Sequence, residues 1–123
     1  MSRQAAAFEL PTELAIDTDV ARRVIGEFIR GQLRQAGFER AVLGLSGGLD
    51  STLALLVCVR TFDLLGLPRP GILAVTMPGF GTTARTLESA RRLAAAPGAA
   101  LRAIDMRAAR EQQLRDTGLD PGD

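Results

Sequence analysis

The sequence predicts an α/β domain built on a parallel sheet, and three observations carry this. Helical and short apolar segments alternate in the order α-β-α-β-α-β-α along the 123 residues. The first two candidate strands, residues 41–45 and 72–77, are continuous apolar runs, the pattern of strands covered on both faces by crossover helices. Each of these strands also ends in a polar, glycine-bearing loop. In an open parallel sheet such loops lie at the carboxyl edge, where these sheets bind their ligands.

Taken in order, residues 1–16 form an irregular lead-in with Pro11 and no firm period. Asp17 and Thr18 are candidate N-caps of a helix running to Ala36. Its apolar residues Ala21, Ile25, Phe28, Ile29, Leu33 and Ala36 recur at spacings of three and four, and Gly37 supplies the left-handed stop. Arg22, Arg23, Arg30 and Arg34 fall mostly on the other, solvated side. After strand 41–45 and its glycine turn, a second helix with the pattern Leu53, Leu56, Val57, Arg60, Leu64 reaches Leu65 and is closed by Gly66. Two prolines stiffen the loop 67–71. Strand 72–77 leads into the second glycine loop, 78–83. A third helix, 84–95, buries Leu87, Ala90, Leu93 and Ala94, and Pro97-Gly98 breaks it. Strand 100–104 and a last helix over 107–115 complete the pattern, leaving 118–123 as a polar tail. Crossovers are expected to be right-handed.

Absences exclude much. The chain has no His and, its basic residues all being arginine, no Lys. It can host neither a His-based triad, nor a Schiff-base lysine, nor a His-ligated zinc. Its single cysteine, Cys58, is expected to be a buried helix residue; it cannot close an intrachain disulfide, which suits a reducing compartment. The net charge of +1 gives no electrostatic reason to expect nucleic-acid or membrane partners. The N-terminal MSRQAAAFELPTE lacks the apolar centre of a signal peptide, and the run 53–59 is too short to span a bilayer. A cytoplasmic protein is expected.

The informative stretch is Gly44-Leu45-Ser46-Gly47-Gly48-Leu49-Asp50-Ser51-Thr52. A strand feeding a glycine turn that opens a helix presents unpaired N–H groups and a partial positive charge, both favourable to phosphate. Gly47 and Gly48 are expected to take conformations closed to other residues and to let phosphate approach the backbone. Ser46, Ser51 and Thr52 add hydroxyls. Asp50 fits either a helix N-cap or a Mg²⁺ ligand, and the two roles are compatible. The Walker-type phosphate loop is excluded, because it requires a lysine.

Ser46 to Ser51 resembles, without a gap, the S-G-G-x-D-[ST] signature of the ATP pyrophosphatase (PP-loop) families. Residues 76–86, Thr-Met-Pro-Gly-Phe-Gly-Thr-Thr-Ala-Arg-Thr, are similar to the M-P-G-F-x-T-x-x-x-T segment of NAD synthetases. Ala103-Ile104-Asp105-Met106 is similar to that family's E-I-D-I strand end, and Ala15-Ile16-Asp17 also fits it. The likeness covers residues 17–106. It departs at Ser89-Ala90, where the family has Asn-Ala, and at Pro97-Gly98, where it has Leu-Gly.

The resemblance implies a three-layer parallel sheet of the adenine nucleotide alpha hydrolase-like (PP-loop, Rossmann-like) type. It implies that Ser46, Gly48, Asp50 and Ser51 hold the ATP pyrophosphate within a loop that includes Gly44, Leu45, Gly47 and Leu49. Asp50 would bind Mg²⁺, and the Thr76-Met77 backbone would meet the adenine. The implied activity is ATP-dependent adenylation of deamido-NAD, then amidation by ammonia to give NAD, AMP and pyrophosphate, in a homodimer. Only 45 residues precede Ser46, too few for the amide-hydrolysing domain of glutamine-dependent members, so the ammonia-dependent class is expected. Synthetases of this kind are longer, so the chain reads as incomplete. It would hold the ATP half-site over residues 17–117, with strand 41–45 left as a sheet edge. The alternatives are an ATP-binding fragment without turnover, or another PP-loop enzyme such as a tRNA-modifying or GMP synthetase-like ligase. Arg85 and Thr86 stand where either a phosphate contact or an exposed first helical turn fits, and Asp105 where a cap for the last helix fits.

Overall fold

The computed structural model describes residues 11–79 and 83–120. Residues 1–10, Phe80, Gly81 and Thr82 of the second loop, and residues 121–123 therefore lie outside it. The elements are α1 (Thr18–Ala36), β1 (Ala41–Gly44), α2 (Leu49–Leu65), β2 (Ile72–Thr76), α3 (Ala84–Ala95), β3 (Ala100–Ala103) and α4 (Arg107–Asp116). Short 3₁₀ turns occupy Thr12–Leu14 in the lead-in and Arg69–Gly71 in the proline loop.

Local chemistry sets the helix ends. The Asp17 carboxylate accepts the N–H groups of Asp19 and Val20, both at 3.0 Å, and so caps α1. Gly37 and Gly66 close α1 and α2 in the left-handed conformation, φ 70° and 67°. Arg69 grips Asp63 with two 2.8 Å hydrogen bonds and donates a third, at 3.1 Å, to the Pro97 carbonyl. That ties the end of α2 to the turn after α3.

The sheet order is β1-β2-β3, all parallel. The ladder runs one residue past two strands, through Leu45 N–H to Val75 O at 2.8 Å and Ile104 N–H to Thr76 O at 2.9 Å. Both crossovers advance in the same direction, so right-handed connections put α2 and α3 on the same face. The core agrees. Leu45, Ile72 and Ala74 pack with Leu55, Val59 and Phe62 of α2 and with Ala90 and Ala94 of α3. Leu93 is half-buried against them, and Leu87 of the same helix is half-buried.

The register places Val42, Leu73 and Ala100, then Gly44, Val75 and Arg102, on the opposite face. None of these joins the core, and Val42 is 70% exposed. Of the two helical layers expected, the described residues contain one. β1 is a sheet edge, as expected.

α1 packs on α2 rather than on the sheet. Its only buried residue is Gly26; a Cβ there would lie 3.6 Å from Thr61 Oγ1. Of the apolar row that marks this helix, Ile25 and Phe28 are 45% and 65% exposed. The reason is geometric, since α1 meets one neighbour along a single line and its remaining apolar side chains project past it. Leu53 and Leu56 of α2 extend the same exposed apolar strip. Cys58 is half-buried, not fully buried, and burial pushes its thiol up from its ordinary value. No helix among the described residues is long and apolar enough to cross a membrane.

Candidate nucleotide cleft

At the carboxyl edge of β1 and β2 lies an open cleft of about 460 Å³, lined by Gly44, Leu45, Ser46, Ser51, Val75, Thr76, Met77 and Thr86. A somewhat larger groove, about 530 Å³, runs between α1 and α2. It is floored by Ile16, Ile25, Leu53, Leu56 and Val57 and lies away from the glycine loop, so the polar chemistry belongs to the strand-end cleft.

The loop from β1 to α2 is knitted by its own hydroxyls. Ser51 Oγ accepts the Ser46 N–H at 3.2 Å and lies 3.0 Å from Ser46 Oγ. Ser46 Oγ accepts the Gly48 N–H at 3.2 Å. Ser51 Oγ and Thr52 Oγ1 both donate to the Gly48 carbonyl, at 3.3 and 2.6 Å. The hydroxyls expected to lie open are thus largely engaged in shaping the turn. They occupy two amides, Ser46 and Gly48. The N–H groups of Gly47, Leu49, Asp50 and Ser51 have no acceptor among the described residues. At the start of a helix, four such amides form a concentration of donors with a favourable dipole.

The expectation of a glycine-only conformation holds for Gly47 and fails for Gly48. Gly47 has φ +89°, in the region that favours glycine. Gly48 has φ −87° and ψ 176°, extended backbone open to any residue. Gly48 is the N-cap of α2, without a side chain to cap it, and Asp50 follows in the first turn. The capping role considered for Asp50 is therefore overturned. Its exposed carboxylate makes no hydrogen bond among the described residues.

Of the ten residues expected to meet the nucleotide, Gly44, Leu45, Ser46, Ser51, Thr76 and Met77 line the cleft. Gly47, Gly48, Leu49 and Asp50 form the loop's outer turn, and the Leu49 side chain is 84% exposed. A Cβ on Gly44 would meet nothing within 4 Å, so that backbone is open to the cleft. The Met77 N–H and C=O, just past β2, make no hydrogen bond among the described residues. Among those residues no group of three acidic, His or Cys side chains could hold a metal. Asp50 alone would supply one oxygen to a cation held mainly by phosphates.

Two further residues line the cleft: Val75, within β2, which the sequence did not single out, and Thr86, in the first turn of α3, for which a phosphate contact or an exposed first turn was expected. Thr86 had a signal, its place in the quoted second-loop motif; Val75 had none beyond its strand. Arg85 is exposed and does not line the cleft. Asp105 accepts the Arg107 N–H at 3.0 Å, and the Arg107 guanidinium beside it pushes its carboxyl down to about 2. It serves the start of α4.

Fold and cleft together define a parallel α/β domain with a glycine loop at the carboxyl edge of its sheet, where helix-start amides find no acceptor among the described residues. The chain belongs to the NAD synthase family, whose model matches residues 21–118. It is 39% identical over 108 residues to a glutamine-dependent NAD(+) synthetase of Mycobacterium leprae, covering 88% of this chain and 16% of that protein. An NH(3)-dependent NAD(+) synthetase of Chlorobium phaeovibrioides is 33% identical over 78 residues, covering 63% of this chain and 26% of its own. The solved NH3-dependent NAD synthetase of Campylobacter jejuni, in complex with the nitrate ion, superposes with a TM-score of 0.71 at 26% identity. That likeness covers 83% of this chain and 42% of the Campylobacter chain. The chain thus spans less than half the length of each of these relatives.

Proposed function

We propose that residues 17–117 form the ATP-binding half of an NAD synthetase. The whole protein would adenylate deamido-NAD with ATP and amidate the adenylate with ammonia, giving NAD, AMP and pyrophosphate. The observation that carries this reading is the row of amides at Gly47, Leu49, Asp50 and Ser51, which find no acceptor among the described residues, beside a cleft that continues to the Met77 backbone, likewise without a hydrogen bond among those residues.

In this reading Gly44, Leu45, Ser46, Gly47, Gly48, Leu49, Asp50 and Ser51 hold the polyphosphate, and Thr76 and Met77 meet the adenine. The Asp50 carboxylate would hold Mg²⁺, which would supply neutralisation of the phosphate charge. The chain's own contribution is positioning and charge stabilisation. Fixed amides bind the two phosphates that leave together as pyrophosphate, and the Met77 amide and carbonyl set the base, so the α-phosphate is presented to the attacking carboxylate. No general base of the His or Lys type is needed for that task.

Ammonia as the direct nitrogen donor is part of the proposal; glutamine-dependent and ammonia-dependent relatives both match. A cytoplasmic location and a homodimer are proposed with it. The exposed apolar groove between α1 and α2, bearing both Asp19 and Arg22 on its rim, suits pairing with a second copy. A second reading, ATP binding without turnover by this chain alone, is favoured by the bare second sheet face and the open β1 edge. Incubating the purified chain with Mg²⁺-ATP, deamido-NAD and ammonia, and assaying AMP with pyrophosphate, tests the chemistry. Calorimetric titration with Mg²⁺-ATP tests the site. Binding with product supports the synthetase reading for the chain itself, and binding without product supports the half-site. No binding contradicts both.

A further inference from the structure

The first turn of α3 stands directly behind the phosphate-facing loop. A Cβ on Gly47 would lie 3.3 Å from the Thr86 carbonyl oxygen, 3.6 Å from Ser89 Cβ and 3.7 Å from Thr86 Cγ2. No hydrogen bond among the described residues joins the Gly47 backbone to α3, so what α3 offers the loop is a wall close to where a Gly47 side chain would stand. Thr86 is in turn fixed from its other side. Thr83, the N-cap of α3, accepts the Thr86 N–H at 3.2 Å, and the two hydroxyls lie 3.0 Å apart. With its hydroxyl engaged there, Thr86 keeps its methyl near Gly47, and the residue lines the same cleft as Ser46 and Ser51.

We propose that Thr86 is a positioning residue for the glycine loop: its methyl and carbonyl, oriented by the Thr83 hydroxyl, form the wall that keeps Gly47 at φ +89° and the neighbouring amides fixed at the start of α2. The inference rests on the reading of the cleft as an ATP site for its functional consequence, but not for its geometry. Bare amides reward a ligand only if they stay aimed before it arrives, since any reordering on binding is subtracted from affinity. The loop's own hydroxyl network fixes Ser46, Gly48 and Ser51 but leaves Gly47 unbonded. The α3 wall is what constrains that residue.

The test separates methyl from hydroxyl. Thr86→Ser keeps the hydroxyl pair with Thr83 and removes the methyl; Thr86→Val restores the methyl and removes the hydroxyl. Two readouts are followed. One is the Gly47 amide resonance and its relaxation in the nucleotide-free protein, and the other is the Mg²⁺-ATP dissociation constant. Thr86→Ser should displace and broaden the Gly47 resonance and weaken binding by up to about fourfold, the worth of one methyl contact. Thr86→Val should bring both back toward wild type. The proposal is overturned if Gly47 is unmoved in Thr86→Ser, or if Thr86→Val is as impaired as Thr86→Ala. If wild type fails to bind Mg²⁺-ATP, the ATP reading falls. The Gly47 resonance of the free protein still decides whether Thr86 holds the loop, and a thermal melt of each variant checks that it is folded.

Discussion

Replacing Gly47 by alanine probes the turn on which the cleft depends. Its φ of +89° lies where an L-residue carries strain of about 1–2 kcal/mol. The added Cβ would also meet the Thr86 carbonyl at 3.3 Å, tight enough that α3 or the loop must give by a few tenths of an ångström. Gly48 is the control. Its backbone is already extended, and an added Cβ would meet only the Ser46 hydroxyl, at 3.4 Å. Gly47→Ala should therefore lower stability by about 1–2 kcal/mol, at about 4 °C of melting temperature per kcal/mol for a domain this size. If residue 47 instead relaxes out of the left-handed region, the loop must be restored when ligand binds. The same free energy then appears as a loss of Mg²⁺-ATP affinity of about 5–30-fold. Urea unfolding and calorimetry on both variants read the two routes. Equal unfolding midpoints for Gly47→Ala and Gly48→Ala, with Mg²⁺-ATP affinity intact in Gly47→Ala, would refute the reasoning.

Asp50→Asn should leave the unfolding midpoint within about 0.5 kcal/mol of wild type, because the exposed carboxylate makes no hydrogen bond among the described residues. It should weaken ATP binding only when Mg²⁺ is present; calorimetry with and without the cation checks this. The Asp105 carboxyl, held from its ordinary 3.8 down to about 2 by Arg107, contributes stability above the ordinary value that is lost as pH falls through the folded one. Its NMR titration midpoint should lie near 2, and Arg107→Ala should return it toward 3.8; a wild-type midpoint at the ordinary value would contradict the pairing. Gly26→Ala, whose new methyl would sit at an ordinary 3.6 Å from Thr61 Oγ1, should stabilise α1 by about 0.5–1 kcal/mol. Gly26→Leu should wedge α1 from α2 and cost about 1–3 kcal/mol by overpacking; urea unfolding of the pair reads the opposite signs.

The order of elements was legible because each has a local cause: the Asp17 cap, the Gly37 and Gly66 stops, and the apolar runs of β1 and β2. The cleft's place was legible too, since a glycine turn after a parallel strand must lie at the carboxyl edge. What stayed hidden depends on neighbours. The row Ala21, Ile25, Phe28 marks an apolar face but not what covers it, and the described residues leave Phe28 exposed. The one-sided sheet follows from two crossovers running in the same direction, which the strand pattern alone does not reveal. Gly47 and Gly48 look equivalent in sequence, yet only Gly47 needs to be glycine for its backbone, because Gly48 begins the helix in an extended conformation. Asp50 has the composition of a cap but sits two residues past the capping position. Thr86 is distant from the loop along the chain and meets Gly47 only after α3 folds back.

The most direct test follows backbone amide resonances of the ¹⁵N-labelled chain during titration with Mg²⁺-ATP. The amides of Gly47, Leu49, Asp50 and Ser51 should shift together and saturably, with Met77 moving in step and the α1–α2 groove unmoved. Saturable shifts confined to the groove, or none at those four amides, would contradict the claim that the β1–α2 turn is a phosphate site.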